Sequence, residues 1–384
     1  MNKKLIVTII CSLFVANHIY CQKESFTDKV KNVFYGGEKI GEYKFKDGSK
    51  YVGELKHGKP NGKGKTLFLN GDVYEGEYVK GKKQGNGVYT SSKGEKYDGQ
   101  WNQDQRVGEG ICYFTNNNVY KGNWNQNMMN GMGEMSYHNG DKYIGNWHNN
   151  NRVGFGEYVW KDGSKYSGMW KNNKKNGEGV FVWKDGSRYS GEWKNDLQSG
   201  KGSYLFSGGD KYEGEWLDGL QHGKGVYVFR SGDVYEGEYL KGQRTGKGKY
   251  THNNGDIYEG EFLGGFQHGK GVFTWANGLK YDGEWNKDVK EGKGAYYYTN
   301  GDVYNGEWKN NLPNGVGTLK RATGEMYVGE YVDGLEDGKG KYVNKDGSSE
   351  EGFSKKGRKE GEFILRDAKG NVIGKKTYKR GRPV

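Results

Sequence analysis

The chain has 384 residues, of which 69 are Gly, 3 Pro, 11 Trp, 31 Tyr and 15 Phe, with a formal charge of +12 and a mean hydropathy of −1.05. Glycine at about 18%, against a usual ~7%, and an apolar fraction of 32% argue against two or three ordinary globular domains. The aromatic content argues against a disordered chain, which is poor in the side chains that bury most area. A regular, glycine-permitted, aromatic-packed β structure fits both.

Residues 1–21 read as a secretory signal peptide: Lys3 and Lys4 precede an apolar run of 12, Leu5 to Ala16. That run is shorter than the ~20 residues that span a bilayer. An uncleaved anchor is the alternative, and cleavage is expected just before Gln22. The protein is therefore expected to be exported, to the periplasm, the cell envelope or the exterior. Cys11 and Cys21 fall in the leader, which leaves Cys112 without a disulfide partner. Residues 22–50 read as an N-terminal extension that ends, at Gly41-Glu42-Tyr43-Lys44-Phe45-Lys46-Asp47-Gly48-Ser49-Lys50, in a half-repeat able to cap the first edge strand.

From residue 51 to 349 the chain repeats. Tyr recurs at 51, 74, 97, 120, 143, 166, 189, 212, 235, 258, 281, 304 and 327, thirteen times at a spacing of 23. Counting this Tyr as position 0, positions 2, 11 and 13 are Gly in every copy, and position 4 is large and apolar, as at Trp101, Trp193 and Phe262. Residues two apart share a face of a strand, so positions 0, 2 and 4 predict one strand with an aromatic face, and positions 13, 15 and 17 a second. A loop is expected over positions 6 to 11, because position 7 is always Gly, Asn or Asp. A tight turn is expected at positions 19–20, often Asn-Gly or Asp-Gly, as at Asn70-Gly71 and Asp162-Gly163. A Gly between two aromatics is expected to leave room for a neighbour's ring. The fold class that follows is all-β, an elongated antiparallel meander of thirteen 23-residue β-hairpins forming a twisted, rod-like sheet, with two strands at ~4.8 Å each giving about 10 Å per copy.

The unit Tyr212-Glu213-Gly214-Glu215-Trp216-Leu217-Asp218-Gly219-Leu220-Gln221-His222-Gly223-Lys224-Gly225 resembles the MORN (membrane occupation and recognition nexus) repeat, and the resemblance covers residues 41 to about 347. It implies hairpins stacked into an elongated sheet that serves as a scaffold, dimerisation or targeting module, sometimes with affinity for anionic lipids. In that family an appended domain supplies any catalysis, and none is expected here. At 350 the pattern changes, with Glu350 in place of Tyr. The spacing of Gly352, Gly357, Gly361, Gly370 and Tyr378-Lys379-Arg380-Gly381 resembles a shorter variant MORN-type repeat common in exported bacterial proteins. Residues 350–384 are accordingly expected to form a variant repeat and a basic C-terminal cap.

Candidate chemistry is sparse. The Gly-x-Gly pairs at positions 11 and 13 precede strands, whereas a phosphate loop needs a following helix. The histidines offer no convergent ligand set, so neither a metal nor a cofactor is expected. Glu at position 3, as at Glu192, Glu215 and Glu238, lies on the face opposite the Tyr and Trp. Paired carboxylates can hydrolyse glycosides, but nine copies in identical surroundings argue for structural pairing with Lys or turn amides, and no enzymatic activity is expected. In repeats three to six the row is interrupted by Gln100, Asn123, Asn146 and Met169. Cys112 sits at an aromatic position and is expected to be buried and inert.

Residues 352–384 carry eleven Lys and Arg against three Asp and Glu, most of the net charge. A basic nucleic-acid groove along the repeats is therefore not expected. Lys375, Lys376, Lys379, Arg380 and Arg382 are candidates for contact with an anionic surface, at ~1 kcal/mol per charge near a membrane; a merely solvated terminus is the alternative. The expected function is that of an exported, non-enzymatic scaffold that binds a protein partner or itself through its repeat faces. The alternative is recognition of anionic lipid or cell-surface polysaccharide by the basic C-terminus or by exposed aromatic rows.

Overall fold

The computed structural model describes residues 40–384. The leader and residues 22–39 of the N-terminal extension lie outside the described residues. The chain divides into two units, one ending at Lys161 and one spanning Asp162–Val384. The first holds eleven strands, from Ile40–Lys44 to Asn151–Val159, and the second twenty, from Lys165–Lys171 to Arg382–Pro383. Within each unit every strand pairs antiparallel with its neighbours in sequence, and no helix occurs among the described residues.

Each repeat contributes a seven-residue strand over positions −1 to 5 and a nine-residue strand over positions 8 to 16, as at Lys211–Leu217 and Leu220–Val228. The loop expected over positions 6 to 11 shrinks to two residues. Asp218 and Gly219 have φ of 50° and 83°, the two left-handed residues a type I′ turn requires, and Leu217 already pairs with Leu220. The Gly at position 11 marks a bulge. Gly214 pairs with Gly225 and Glu215 with His222, so Gly223 and Lys224 are extra residues on the longer strand, with Gly223 at φ 57°.

The Asn-Gly and Asp-Gly pairs at positions 19–20 also differ from expectation. The carbonyl of Phe229 accepts the N–H of Gly232 at 2.9 Å, and within this turn Gly232 alone is left-handed. The connection is thus a type I turn followed by an αL glycine. The Asn or Asp at position 19 accepts the N–H of position 21, as from Ser164 to Asp162 Oδ1 at 2.9 Å, which explains its frequency there.

The core is a single aromatic face. Tyr212 is fully buried and folds back along its own repeat, where its hydroxyl donates to the carbonyl of Glu215 at 3.0 Å. Its ring lies across Gly214 and Gly225: a Cβ at either glycine would stand 2.5 or 2.4 Å from its hydroxyl oxygen. These glycines therefore make room for the Tyr of their own repeat rather than for a neighbour's ring. Tyr212 meets Trp216 of its own repeat at 5.1 Å and Tyr239 of the next at 5.2 Å, both edge to face. Trp216 in turn donates its indole N–H to Gly202 of the preceding repeat at 3.2 Å. Such pairs are worth about 0.5–1.5 kcal/mol each beyond area burial, so a single-layer sheet holds its register through rings linking each hairpin to the next.

Two polar stitches reinforce that order. Asp104, in the left-handed turn, donates its N–H to the carbonyl of Lys83 and accepts the Lys83 N–H at Oδ1, at 3.0 and 2.8 Å. At the opposite end of the hairpins, Asp210 accepts the Arg230 N–H at 2.8 Å and the Tyr227 hydroxyl at 2.7 Å. Both hydrogen bonds hold its carboxyl below the usual range.

Past residue 349 the aromatic site is filled from the other strand. Glu350 replaces the Tyr, and Phe363, at a position that is Gly in all thirteen repeats, is fully buried with its ring against Gly352. Phe363 packs on Tyr342 and Tyr378 at 6.1 and 5.1 Å. Glu350 accepts from Lys359 at 2.6 Å and Tyr378 at 2.8 Å. Burial opposes its ionisation, yet these two bonds keep its pKa below the ordinary value.

Candidate binding surfaces

In six of the thirteen repeats a cation at position 9 sits among the rings of the aromatic face. Position 9 pairs across the hairpin with position 4, as Arg106 with Trp101 and Lys290 with Trp285, so its side chain rises among the rings. Lys83 Nζ lies 4.4 Å from the Trp101 centroid and within 5.6 Å of Phe68, Tyr74 and Tyr89. Lys290 has four rings within 5.4 Å. Arg106, Arg152, Lys175 and Arg244 repeat the arrangement, each contact worth about 0.5–2 kcal/mol. The signal was present in the sequence as a basic residue two places before the bulge glycine, but a strand of positive charge suggests solvent until the hairpin pairing is known.

This changes the standing of the aromatic rows. The rings at positions 0 and 4 between residues 74 and 331 are no more than 7% exposed, so they are core and no external sugar reaches them. What stays partly open is a second row from positions 15 and 17. In the Asp162–Val384 unit it starts at Trp183, beside the buried Phe181, and runs through Tyr204 and Phe206 to Tyr296 and Tyr298, with successive centroids 4.4 to 6.0 Å apart.

On the opposite face the position 3 glutamates latch the bulge. Glu192, Glu215 and Glu330 accept the N–H of position 12, from Lys201, Lys224 and Lys339, at 3.0 to 3.2 Å. Of the two structural partners expected, Lys or turn amides, the contact made is with the amide. Where the row is interrupted the latch reverses: Asn123 and Asn146 donate Nδ2 to the carbonyls of Met132 and Phe155 at 3.1 and 3.2 Å. Met132, Ile144 and Phe155 are exposed there, so the interruption carries an apolar patch. In the Asp162–Val384 unit a groove of about 1080 Å³ on the face opposite the aromatic core is floored by Gly202, Gly214, Gly225 and Gly237 and walled in part by lysines and glutamates.

Cys112 is fully buried. Burial pushes its thiol up to about 11, against the opposing pull of Arg106, whose Nη1 donates to Sγ at 3.6 Å. His222 and His268 pair with Glu215 and Glu261 in separate hairpins, and among the described residues no group of three His, Cys, Asp or Glu is placed to hold a metal. No helix among them is long and apolar enough to cross a membrane.

The basic C-terminal residues divide between two faces. Lys375 and Lys379 alternate with Lys376 along the strand Val372–Lys379. Lys375 pairs with Glu362 at 2.8 Å, while Lys376 lies 5.3 Å from the Tyr378 ring on the aromatic side. Arg380 enters a left-handed turn with φ of 51°, and exposed Arg382 begins the last two-residue strand. The structure therefore brings together no single cluster of all five.

A scan against family models matches the MORN repeat thirteen times without a gap, from residues 51–73 to 327–349. No curated protein matches the chain. Among solved structures, the TCP10 domain of Danio rerio CPAP is 16% identical with a TM-score of 0.28, covering 52% of this chain and 99% of its own. The Drosophila melanogaster SAS-4 TCP domain, solved with a proline-rich motif of Ana2, is 13% identical at 0.20, covering 51% and 86%. Virginiamycin B lyase from Staphylococcus aureus is 10% identical at 0.12, covering 74% and 92%. Superpositions this loose carry no argument about partner or activity. The repeat match spans most of the sequence and agrees with the hairpin anatomy residue by residue: the chain belongs to the MORN-repeat family.

Proposed function

We propose that this protein is an exported, non-enzymatic scaffold that engages a protein partner, or a second copy of itself, through its repeat faces. The observation that carries this reading is the commitment of the repeated polar groups to the fold. The glutamate row, the chemistry a hydrolase would use, latches backbone amides, and the cations at position 9 are held among rings. What varies from repeat to repeat is the outer surface, which suits recognition rather than catalysis. The basic start and apolar run of residues 3–16 support export. Affinity capture of the mature protein from its native envelope, with mass spectrometry of the bound material and of the mature N-terminus, tests both parts. A chain that stays monomeric and crosslinks to nothing overturns the scaffold, and an N-terminus at Met1 overturns the cleaved leader.

A second reading rests on the partly open ring row from Trp183 to Tyr298, which offers aromatic edges and faces to a polysaccharide, and on the basic terminus, which offers charge to anionic lipid. A glycan array, and liposome sedimentation with and without residues 352–384, separate the two. Binding in neither removes this reading.

A further inference from the structure

On the face opposite the aromatic core, the Asp162–Val384 unit carries two parallel rows of side chains. Positions 3 and 12 form one row, in which Lys201, Lys224, Lys247 and Lys270 pair with Glu215, Glu238, Glu261 and Glu284 of the next strand. Positions 1 and 14 form the other, where Glu213, Glu236 and Glu259 are exposed and Lys249 is the one cation among them. The rows lie two residues apart along the strands, about 7 Å, and the glycine backbone of positions 2 and 13 floors the space between. The groove of about 1080 Å³ found there continues into one of about 580 Å³ that shares Glu236 and Lys247 with it and reaches Lys270. Glu192, Glu215 and Glu238 are committed to the backbone N–H groups of Lys201, Lys224 and Lys247. The four lysines of the row are exposed, and their ammonium groups enter no ion pair among the described residues.

We infer that this groove binds an acidic glycan: an extended β-linked polysaccharide with one carboxylate per disaccharide, its carboxylates on the lysine row and its hydroxyls on the glutamate row. The inference goes beyond the scaffold reading and does not rest on it, and it sets carbohydrate on the face opposite the ring row. Three observations select this ligand. The first is spacing. One lysine per repeat places cations about 10 Å apart, the distance spanned by two β-linked pyranose rings in an extended chain. A nucleic-acid strand carries a phosphate every ~3.4 Å, about three for each lysine, and would press the surplus charge against Glu213, Glu236 and Glu259. The second is hydrogen-bonding character. Ionised carboxylates only accept, which suits hydroxyls offered by every sugar ring, while lysine only donates, which suits a carboxylate. The third is what the groove lacks. No aromatic ring lines either cavity, so neither a neutral glycan held by ring stacking nor a proline-rich segment docked on aromatic side chains finds its contacts there.

Titration calorimetry of the mature chain with an octasaccharide of alternating glucuronic acid and N-acetylglucosamine tests this. Binding is expected at low ionic strength and should weaken as salt screens it. Lys224→Gln with Lys247→Gln should weaken it about tenfold, a few-fold for each charge pair. Both side chains are exposed, so Trp fluorescence and thermal midpoint should stay as in wild type. Lys309→Gln, beside a hairpin turn outside the groove, should leave binding unchanged, and an uncharged octamer of β-1,4-linked N-acetylglucosamine should not bind. No binding of the acidic octasaccharide at about 1 mM, equal binding of the uncharged octamer, or indifference to the lysine pair overturns the inference. Loss of binding on Trp275→Ala with Tyr298→Ala, with the lysine pair indifferent, returns carbohydrate to the ring row and overturns the groove. A peptide with Glu at every third residue, or single-stranded DNA, that binds more tightly than the octasaccharide and is lost with the same two lysines assigns the groove to that class and overturns the glycan. None of these outcomes touches the scaffold reading, whose test is capture of a partner, so the two fail separately.

Discussion

Replacing Gly225 with Ala places a methyl carbon 2.4 Å from the Tyr212 hydroxyl oxygen and 2.6 Å from two carbons of its ring. The ring has nowhere to retreat. It is fully buried, bonded to the Glu215 carbonyl and wedged between Trp216 and Tyr239. Displacing it forfeits about 1 kcal/mol for the hydrogen bond and about 0.5–1.5 kcal/mol for each edge-to-face contact it loosens. Overpacking strain adds about 1–3 kcal/mol. With both ring contacts loosened the expected cost is about 3–7 kcal/mol, at the upper end for a single substitution. Gly242→Ala is the control, because Gly242 has φ of 80° with no atom within 4 Å of the added methyl, so only the left-handed backbone resists, at about 1–2 kcal/mol. Urea unfolding followed by Trp fluorescence measures both, and hydrogen exchange should place the lost protection in the repeats around residues 189–257, since coupling in such arrays is between nearest neighbours. Tyr212→Ala combined with Gly225→Ala should cost at least about 1 kcal/mol less than the sum of the two, because removing the ring removes the clash. If Gly225→Ala costs no more than Gly242→Ala, or if the double substitution is additive, the ring-over-glycine account is wrong.

Cys112, with its thiol raised to about 11 by burial, should resist thiol reagents near neutral pH until the chain unfolds; rapid stoichiometric labelling of native protein would contradict its burial. Burial lowers Lys175 from 10.5 to about 8, so between those values the unfolded chain binds the extra proton, and the stability contributed by this site rises with pH across that window and is lost as pH falls through its lower end. Lys175→Met should flatten that rise relative to wild type in unfolding midpoints taken on either side of the window, and equal slopes would refute the assignment. Glu215→Gln keeps an acceptor for the Lys224 N–H and should cost under about 0.5 kcal/mol, against about 1 kcal/mol for Glu215→Ala. Loss of a hydrolytic activity on either change would return the glutamate row to catalysis.

Much of this protein was legible in one dimension because its contacts are nearly so. Each hairpin touches only its neighbours, so the 23-residue spacing of Tyr, Gly and Trp carries the strand count and the aromatic face of each hairpin. The periodicity erred where two local solutions share the same residues. Asn-Gly suits either a two-residue turn or a type I turn closed by an αL glycine, and Gly at position 11 suits a loop end or a bulge; in both cases the ladder on either side chose.

The sequence alone established repetition, pairing partners and the absence of a second cysteine between residues 22 and 384 to form a disulfide. Tertiary structure decided exposure. Position 9 cations turned inward because the hairpin pairing sets them opposite the indoles, the conspicuous Tyr and Trp rows became core, and the plain leucines beside the turns became the open surface. Alternation along a strand separates two faces, but which face is covered depends on what the next hairpin lays across it, and that is a property of three-dimensional packing that spacing does not encode.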